Sequence, residues 1–283
     1  MILVDLSQVM ISTLMAQIGN HQNMQLDENM LRHMILNTIR FNRKKFNSEF
    51  GELVICADDK NYWRRDIFPY YKAGRRKSRD RSEMDWNAIF EVLNRVREEL
   101  KEFFPYQVLQ IEHAEADDII GTIVHQEGTV LNIGEPILVL SGDKDYIQLH
   151  KYANVSQYDP TRKRWIKHSD PEEYLYEHIM KGDAGDGVPN VLSPDNCLVV
   201  GERQRPVTRK RLEEWKTSSN MDETVKRNYM RNKAMIDLST IPANIKEQIL
   251  TKYNVENTKD RSQLLNYFMK NKLRNLMENL NEF

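Results

Sequence analysis

An α/β fold, with a mostly parallel central sheet flanked by helices and then a C-terminal helical region, is what the sequence predicts. Three observations carry that reading. Short apolar runs recur and each is closed by an acid: Ile2-Leu3-Val4 before Asp5, Leu53–Ala57 before Asp58, and residues 136–141 before Asp143. Stretches with apolar residues at helical spacing alternate with them, the pattern of strands joined by crossover helices. From about residue 168 the strand signals stop and the chain reads as mainly helical.

In order along the chain, Ile2-Leu3-Val4 is the first strand. Asp5 stands at its carboxyl end, or alternatively starts a turn or caps the next helix. Residues 26–46 place Met30, Leu31, Met34, Ile35, Ile39 and Phe46 on one face of a helix. Leu53–Ala57 is the second strand, with Asp59 beside Asp58 but pointing elsewhere. Residues 60–81 interrupt the pattern, and Pro69 and Gly74 prevent one continuous helix there. Residues 90–104 form a helix with Leu93, Val96 and Leu100 inward. Residues 106–111 are the third strand, and 115–126 a helix with Ile119, Ile120, Ile123 and Val124 inward. Residues 136–141 are the fourth strand, after which Gly142 permits a tight turn and Asp145 opens a short helix. Residues 154–158 give a last strand, followed by the basic run Arg162-Lys163-Arg164 and Trp165. Residues 172–180 are a short helix. The tail, 264–283, spaces Leu265, Phe268, Leu273, Leu276 and Leu280 as a closing amphipathic helix, with Phe283 packed in the core or, alternatively, docking a partner. These elements divide the chain into an α/β unit over 1–167, with a basic arch at about 60–81, and a helical region over 168–283.

With 283 residues, 40% of them hydrophobic and 29% charged, the chain has the composition of a soluble globular protein. Cys56 and Cys197 make no disulfide framework and suit a reducing, cytoplasmic setting. The N-terminus lacks the basic flank and long apolar core of a secretory signal, and no apolar run approaches a membrane span. The formal net charge of −1 conceals separated poles. Residues 60–81 carry nine Lys/Arg against Asp66 and Asp80, and residues 201–233 carry ten against five acids. A neutral total therefore does not exclude a nucleic-acid partner.

The acids collect around residues 115–145. Glu115, Asp117 and Asp118 open a helix, and Asp143 and Asp145 follow a strand. One acid at a helix start is explained by the macrodipole; three in four residues exceed that need. Ligands of open α/β sheets sit outside the carboxyl ends of the strands, where Asp5 and Asp58 also stand. Two carboxylates about 4 Å apart repel by roughly 4 kcal/mol at an effective dielectric of ~20. Hard divalent cations such as Mg²⁺ or Mn²⁺ relieve that repulsion through oxygen ligands. Asp183 and Asp186, three apart among glycines, suit either a metal or a helix-linking turn. In the 60–81 stretch Tyr62, Trp63, Phe68, Tyr70 and Tyr71 interleave with Lys and Arg. Basic side chains neutralise phosphates and aromatic faces stack on single-strand bases, whereas the bland alternative is a solvated loop. The second basic region, Arg209, Lys210 and Arg211 included, suits a duplex backbone or a solvated helical face.

The ordered set of motifs is similar to the 5′-nuclease (flap endonuclease) superfamily, most closely its T-even bacteriophage ribonuclease H branch. It comprises VDLSQ, VICADDKNYWRRD, YYKAGR, HAEADD, SGDKDYIQLHKY, KGDAGDGVP, GERQRP and the terminal NEF. The resemblance spans nearly the whole chain and implies a sheet of the kind shared with PIN-type nucleases. It implies one divalent ion bound through Asp5, Asp58, Glu115, Asp117, Asp118 and Asp143, some of them through water, and a second toward Asp145, Asp183 and Asp186. Two Mg²⁺ per site are expected, with Mn²⁺ able to substitute. Lys72 and Arg75 fall at the positions of the family's catalytic basic residues. Arg64, Arg65, Arg76 and Lys77 are expected on the nucleic-acid backbone, with one of Arg64 and Arg65 alternatively structural, and Tyr70 or Tyr71 on the terminal base. The resemblance also implies a duplex-gripping helix–turn–helix from residue 182 onward. There Pro189 is followed by Asn190 and the family's later glycines are absent, so its monovalent-ion site and its grip should differ.

The function so implied is Mg²⁺-dependent 5′→3′ hydrolysis of RNA primers in RNA–DNA hybrids and of adjoining DNA, with 5′-flap cleavage, by a monomer in DNA replication. Other replication proteins would be further partners. Only four residues precede Asp5, which leaves no N-terminal tether to one. The setting would be the host cytoplasm for a phage-encoded enzyme. Two other classes share the sheet: a PIN-type nuclease of single-stranded RNA, and a non-catalytic nucleic-acid-binding protein. Retention of every expected acid argues against the last.

Overall fold

The computed structural model describes residues 1–18, 28–80, 84–129, 131, 134–217 and 221–283. Strands β1 (Ile2–Asp5), β2 (Leu53–Ala57), β3 (Gln107–Gln110), β4 (Ile137–Leu140), β5 (Val155–Asp159) and β6 (Arg164–Ile166) make one sheet in the order β3-β2-β1-β4-β5-β6. The first five are mutually parallel and β6 runs antiparallel to β5. The strand order reverses between β1 and β4, so the crevice for a ligand lies at their carboxyl ends.

Both faces of the sheet are covered, which is why its strands read as unbroken apolar runs. Ile2 and Val4 point to one face, packing with α1 (Leu6–Ile18), α2 (Glu28–Phe50), α5 (Trp86–Phe103) and the C-terminal residues. Leu3 points to the other, against α6 (Ala116–Glu127) and α11 (Ala243–Tyr253). The helical unit between β6 and α11 contains α7 (Pro171–Lys181), α8 (Cys197–Val200), α9 (Arg209–Thr217) and α10 (Glu223–Ile236). Packing does not divide at residue 167: residues from Leu238 onward return to both faces of the sheet. No helix among the described residues is long and apolar enough to cross a membrane.

Two elements escape sequence reading and one is reshaped. Helix α1 has no charged face to mark its period, and β6 is a short, half-exposed edge strand whose Arg and Trp read as a basic run. The tail is broken into α12 (Leu264–Lys270) and α13 (Arg274–Met277) rather than one helix. Lys272 takes φ 55, and the next amide, that of Leu273, donates to Phe268 O at 2.9 Å. That is a left-handed helix stop without its customary glycine, so the sequence gives no sign of it. The break turns Phe283 into the core against Phe104 and Phe268, at ring distances of 5.7 and 5.1 Å. The basic stretch folds as α3 (Trp63–Ile67) and α4 (Ala73–Asp80), two short helices parted at Pro69. Cys56 and Cys197 are free and buried.

Candidate metal centre and basic arch

Asp5 ends β1 and is 5% exposed; it accepts hydrogen bonds from Gln8 N–H (3.0 Å), Ser141 Oγ (3.1 Å) and Tyr146 OH (3.3 Å). Asp58 follows β2 and accepts from Ala116 N–H at 2.7 Å, which draws it to the first turn of α6. Asp117, in that same turn, accepts from Tyr146 OH. Asp143 caps the 3₁₀ helix Lys144–Lys151 through Asp145 N–H, and both acids stand just beyond β4. Asp183 is held in the loop after α7 by the amides of Gly185 (2.8 Å) and Asp186 (3.1 Å).

None of Asp5, Asp58, Asp117, Asp143, Asp145 and Asp183 has a Lys or Arg within ion-pairing distance among the described residues. Their protons show the consequence. Burial, then Asp58 and Asp143, push Asp5 up to about 7. Burial, then Asp143, push Asp145 up to about 8, with Asp183 and Asp186 adding to the rise. Asp117 is raised well above the ordinary carboxylate range by burial, Asp143 and Asp5. Carboxylates collected without counter-cations suit a hard divalent ion, and among the described residues the group whose donor atoms lie within 4.8 Å of one another is Asp145, His178 and Asp183.

The pH dependence follows with a definite sign. Asp5 and Asp145 bind protons more tightly folded than unfolded, where their pKa is near the ordinary 3.8. Their stabilisation is complete below about pH 4 and is lost as pH rises to about 8. In EDTA the protein should therefore melt at a lower temperature at pH 8.5 than at pH 5.5. An added divalent ion should raise Tm more at pH 8.5, as a scanning-calorimetry series would record.

The remaining acids are already neutralised. Glu115, the N-cap of α6, accepts from Arg64 Nη1 (3.0 Å) and Tyr71 OH (2.9 Å) and is ion-paired with Lys72. Asp186 is paired with Arg75 and lies 3.5 Å from Lys72 Nζ. Asp118 is fully buried, and its carboxylate takes Trp63 Nε1 (3.0 Å), Arg64 Nη1 and the Glu115 amide (2.9 Å). The resemblance implies metal binding by Asp118; here its Oδ2 takes all three of those hydrogen bonds and its Oδ1 meets only Arg64 Nη1 at 2.8 Å, so the carboxylate faces the arch. Of the two arginines Arg64 takes the structural alternative: it is 2% exposed and its Nε donates to Met235 O at 2.8 Å, so it joins α6 to α10 and does not meet a phosphate. Tyr71 is 3% exposed, with its hydroxyl shared between Glu115 and Asp186, and offers no face to a base.

Other basic and aromatic positions stay open. Arg65 is exposed beside the Tyr62 ring (4.8 Å), and Tyr70 is 36% exposed. Arg209, Lys210 and Arg211 project from α9 into solvent. The side chains of Arg76 and Lys77 lie outside the described residues. Burial alone would lower the Lys72 ammonium's pKa, but Tyr71, Glu115 and Asp186 hold it well above its usual value, so it remains charged. Its backbone is left-handed (φ 56) and its amide donates to Asp186 O at 2.7 Å. Opposite it, Gly187 (φ 77) passes so close that a Cβ there would stand 2.7 Å from Tyr70 O. This contact seats the arch on the loop after α7. A cleft of about 890 Å³ runs beneath it, lined by Asp58, Lys60, Arg65, Lys72 and Arg75 on one side and by Trp86 and Phe90 on the other.

The turn after Pro189 is built differently from the one the resemblance implies. Arg231 Nη2 donates to Pro189 O (2.7 Å) and Asn190 O (3.4 Å), Asn232 Nδ2 to Pro189 O (2.9 Å), and Asn228 Nδ2 to Val191 O (2.9 Å). Asp195 balances the guanidinium. Arg231→Met should cost about 1–3 kcal/mol, because it strips the guanidinium from Pro189 O and Asn190 O and leaves Asp195 with Arg227 alone, and urea unfolding would measure the loss.

Sequence reading missed Ser141, Tyr146 and His178, which orient the acids. Tyr146 and Ser141 sit inside the SGDKDY motif and carried a signal; His178 carried only its five-residue separation from Asp183.

A parallel sheet with acids collected at its switch point, beside a basic arch, has the layout of a phosphodiester-cleaving enzyme. Residues 1–179 match the family described as 5′-3′ exonuclease, N-terminal resolvase-like domain, and residues 169–283 match T4 RNase H, C terminal. The chain is 35% identical to the ribonuclease H of Enterobacteria phage T4, over 99% of its own length and 95% of that protein. It is 30% identical to a 5′-3′ exonuclease of Buchnera aphidicola over 52% of this chain and 50% of that one. The D15 flap endonuclease of bacteriophage T5, solved with DNA and metal ions, superimposes with a TM-score of 0.61 at 16% identity, over 90% of this chain and 99% of that one. The protein belongs to the 5′–3′ exonuclease family and carries the C-terminal domain of its T4 RNase H branch. It is a phosphodiester hydrolase of the 5′–3′ nuclease type.

Proposed function

We propose that this nuclease uses two Mg²⁺ ions to remove RNA primers and adjoining DNA from the 5′ side and to cut 5′ flaps during replication. The observation that carries it is the group of acids without counter-cations at the β1/β4 switch point, directly beneath a cationic arch. Asp5, Asp58, Asp117 and Asp143 would hold one ion, with Glu115 reaching it through water, and Asp145 and Asp183 the other, which Asp186 joins on leaving Arg75. Bound there, the ions supply an activated water and neutralise charge developing at phosphorus. The chain's own residues admit and orient the substrate. The 890 Å³ cleft takes the unpaired 5′ end, with Arg65 on its phosphates and Tyr70 on a base. Lys72 and Arg75 are catalytic residues that exchange Glu115 and Asp186 for the scissile phosphate, while Arg209, Lys210 and Arg211 meet the duplex backbone. The protein acts as a monomer in the host cytoplasm.

The test is cleavage of an end-labelled RNA–DNA hybrid and of a 5′-flap duplex, each in Mg²⁺ or EDTA. Metal-dependent release from the 5′ side of both is expected. Cleavage of single-stranded RNA alone, or binding with no cleavage, would overturn the reading.

A further inference from the structure

Among the acids expected at the second ion, Asp186 faces Tyr71, Lys72 and Arg75 instead of Asp145 and Asp183. A histidine occupies the space beside those two. His178 lies in the last turn of α7, where its carbonyl accepts the Gly182 amide at 2.8 Å and fixes the helix end. Its Nδ1 is 3.4 Å from Asp145 Oδ1, and its Nε2 is 3.6 Å from Asp183 Oδ2. One donor atom from each of the three side chains lies within 4.8 Å of the others. Ligands about 2.1 Å from one octahedral ion stand roughly 3 Å apart when adjacent and about 4.2 Å when opposite. The three groups stand within a few tenths of an ångström of that span, so a small inward movement would bring them onto a shared ion, and they are too far apart for strong hydrogen bonds among themselves. They line a second cleft of about 460 Å³ with Asp143, Lys144 and Tyr174, so an ion and its waters have access. The Tyr174 ring, 5.8 Å from the imidazole, limits its rotation.

We propose that His178 is a nitrogen ligand of the second divalent ion, making that position prefer Mn²⁺ or Co²⁺ to Mg²⁺, while the first position, lined by carboxylates alone, keeps its taste for Mg²⁺. The proposal rests on the two-ion nuclease reading above. Imidazole favours transition ions, whereas a purely carboxylate and water shell suits Mg²⁺. The two positions then load differently, and the metal mixture sets how fully the second is filled. If His178 served only as a counter-charge between Asp145 and Asp183, it would affect every divalent ion alike.

Pulsed EPR on the full chain loaded with Mn²⁺ reads the ligand directly. Imidazole ¹⁴N modulation is expected in the wild type, and neither His178→Gln nor His178→Ala should show it. By calorimetry, both variants should lose about tenfold in Mn²⁺ affinity at the weaker site and change less than about threefold for Mg²⁺. Wild-type protein that binds two Mn²⁺ and cleaves the hybrid without ¹⁴N modulation would overturn the His178 assignment and leave the nuclease reading intact. Equal losses for both ions would also overturn it. Protein that binds no divalent ion and cleaves nothing would bring down the nuclease reading, and this assignment with it.

Discussion

Asp143→Asn should lower kcat on a 5′-flap duplex by about 10³-fold, roughly 4 kcal/mol of transition-state stabilisation, with duplex affinity unchanged or slightly improved. The reason lies in its position between the two groups of acids. The charge of Asp143 raises the proton affinity of Asp5, of Asp117 and of Asp145, so it stands close to all three. It belongs to the set proposed for the first ion and lies beside the set proposed for the second. In the proposed reading binding rests on other residues, the arch and α9, and removal of one negative charge favours a polyanion. Single-turnover cleavage with a parallel fluorescence-anisotropy titration in Ca²⁺ separates the two effects. A loss of affinity equal to the loss of rate would place Asp143 in substrate binding instead.

Arg64→Met should be the most destabilising single change in the arch, by about 3–5 kcal/mol. The guanidinium is buried with Glu115 and Asp118 as ion-pair partners and Met235 O as a further acceptor. Methionine fills the space but leaves the buried Asp118 carboxylate without a cation and Glu115 with Lys72 alone. A whole domain is stable by only about 5–15 kcal/mol, so this is a large fraction. Denaturant unfolding should show the midpoint displaced well below that of Arg65→Met, since Arg65 is solvent-exposed and held only by the Tyr62 ring. Similar midpoints for the two variants would show that the buried network contributes little.

What the sequence revealed and what it hid divide along physical lines. A parallel sheet buried on both faces writes itself as apolar runs, and acids at strand ends mark the ligand side; both were legible at Asp5, Asp58 and Asp143. Spacing along the chain could not show which way a carboxylate turns. Asp117 and Asp118 are neighbours, yet one faces Tyr146 and the acidic centre while the other is enclosed by Trp63 and Arg64. In the same way Arg64 and Arg65 are alike in sequence and opposite in burial. The departure after Pro189 was visible as missing glycines, but its replacement was not. Arg231 comes 42 residues after Pro189 and reaches its carbonyl only in the folded chain. His178 was hidden for the same reason, its nearness to Asp145 being set by how α7 packs on the 3₁₀ helix.

The central claim is that these acids are gathered for metal and hold protons in its place until it arrives. Mg²⁺ titration at pH 7 in buffers of different ionisation enthalpy tests it most directly. With Asp5 at about 7 and Asp145 at about 8, binding should release on the order of one to two protons per protein, the release shrinking in Asp145→Asn. Mg²⁺ binding with no proton release would contradict the account.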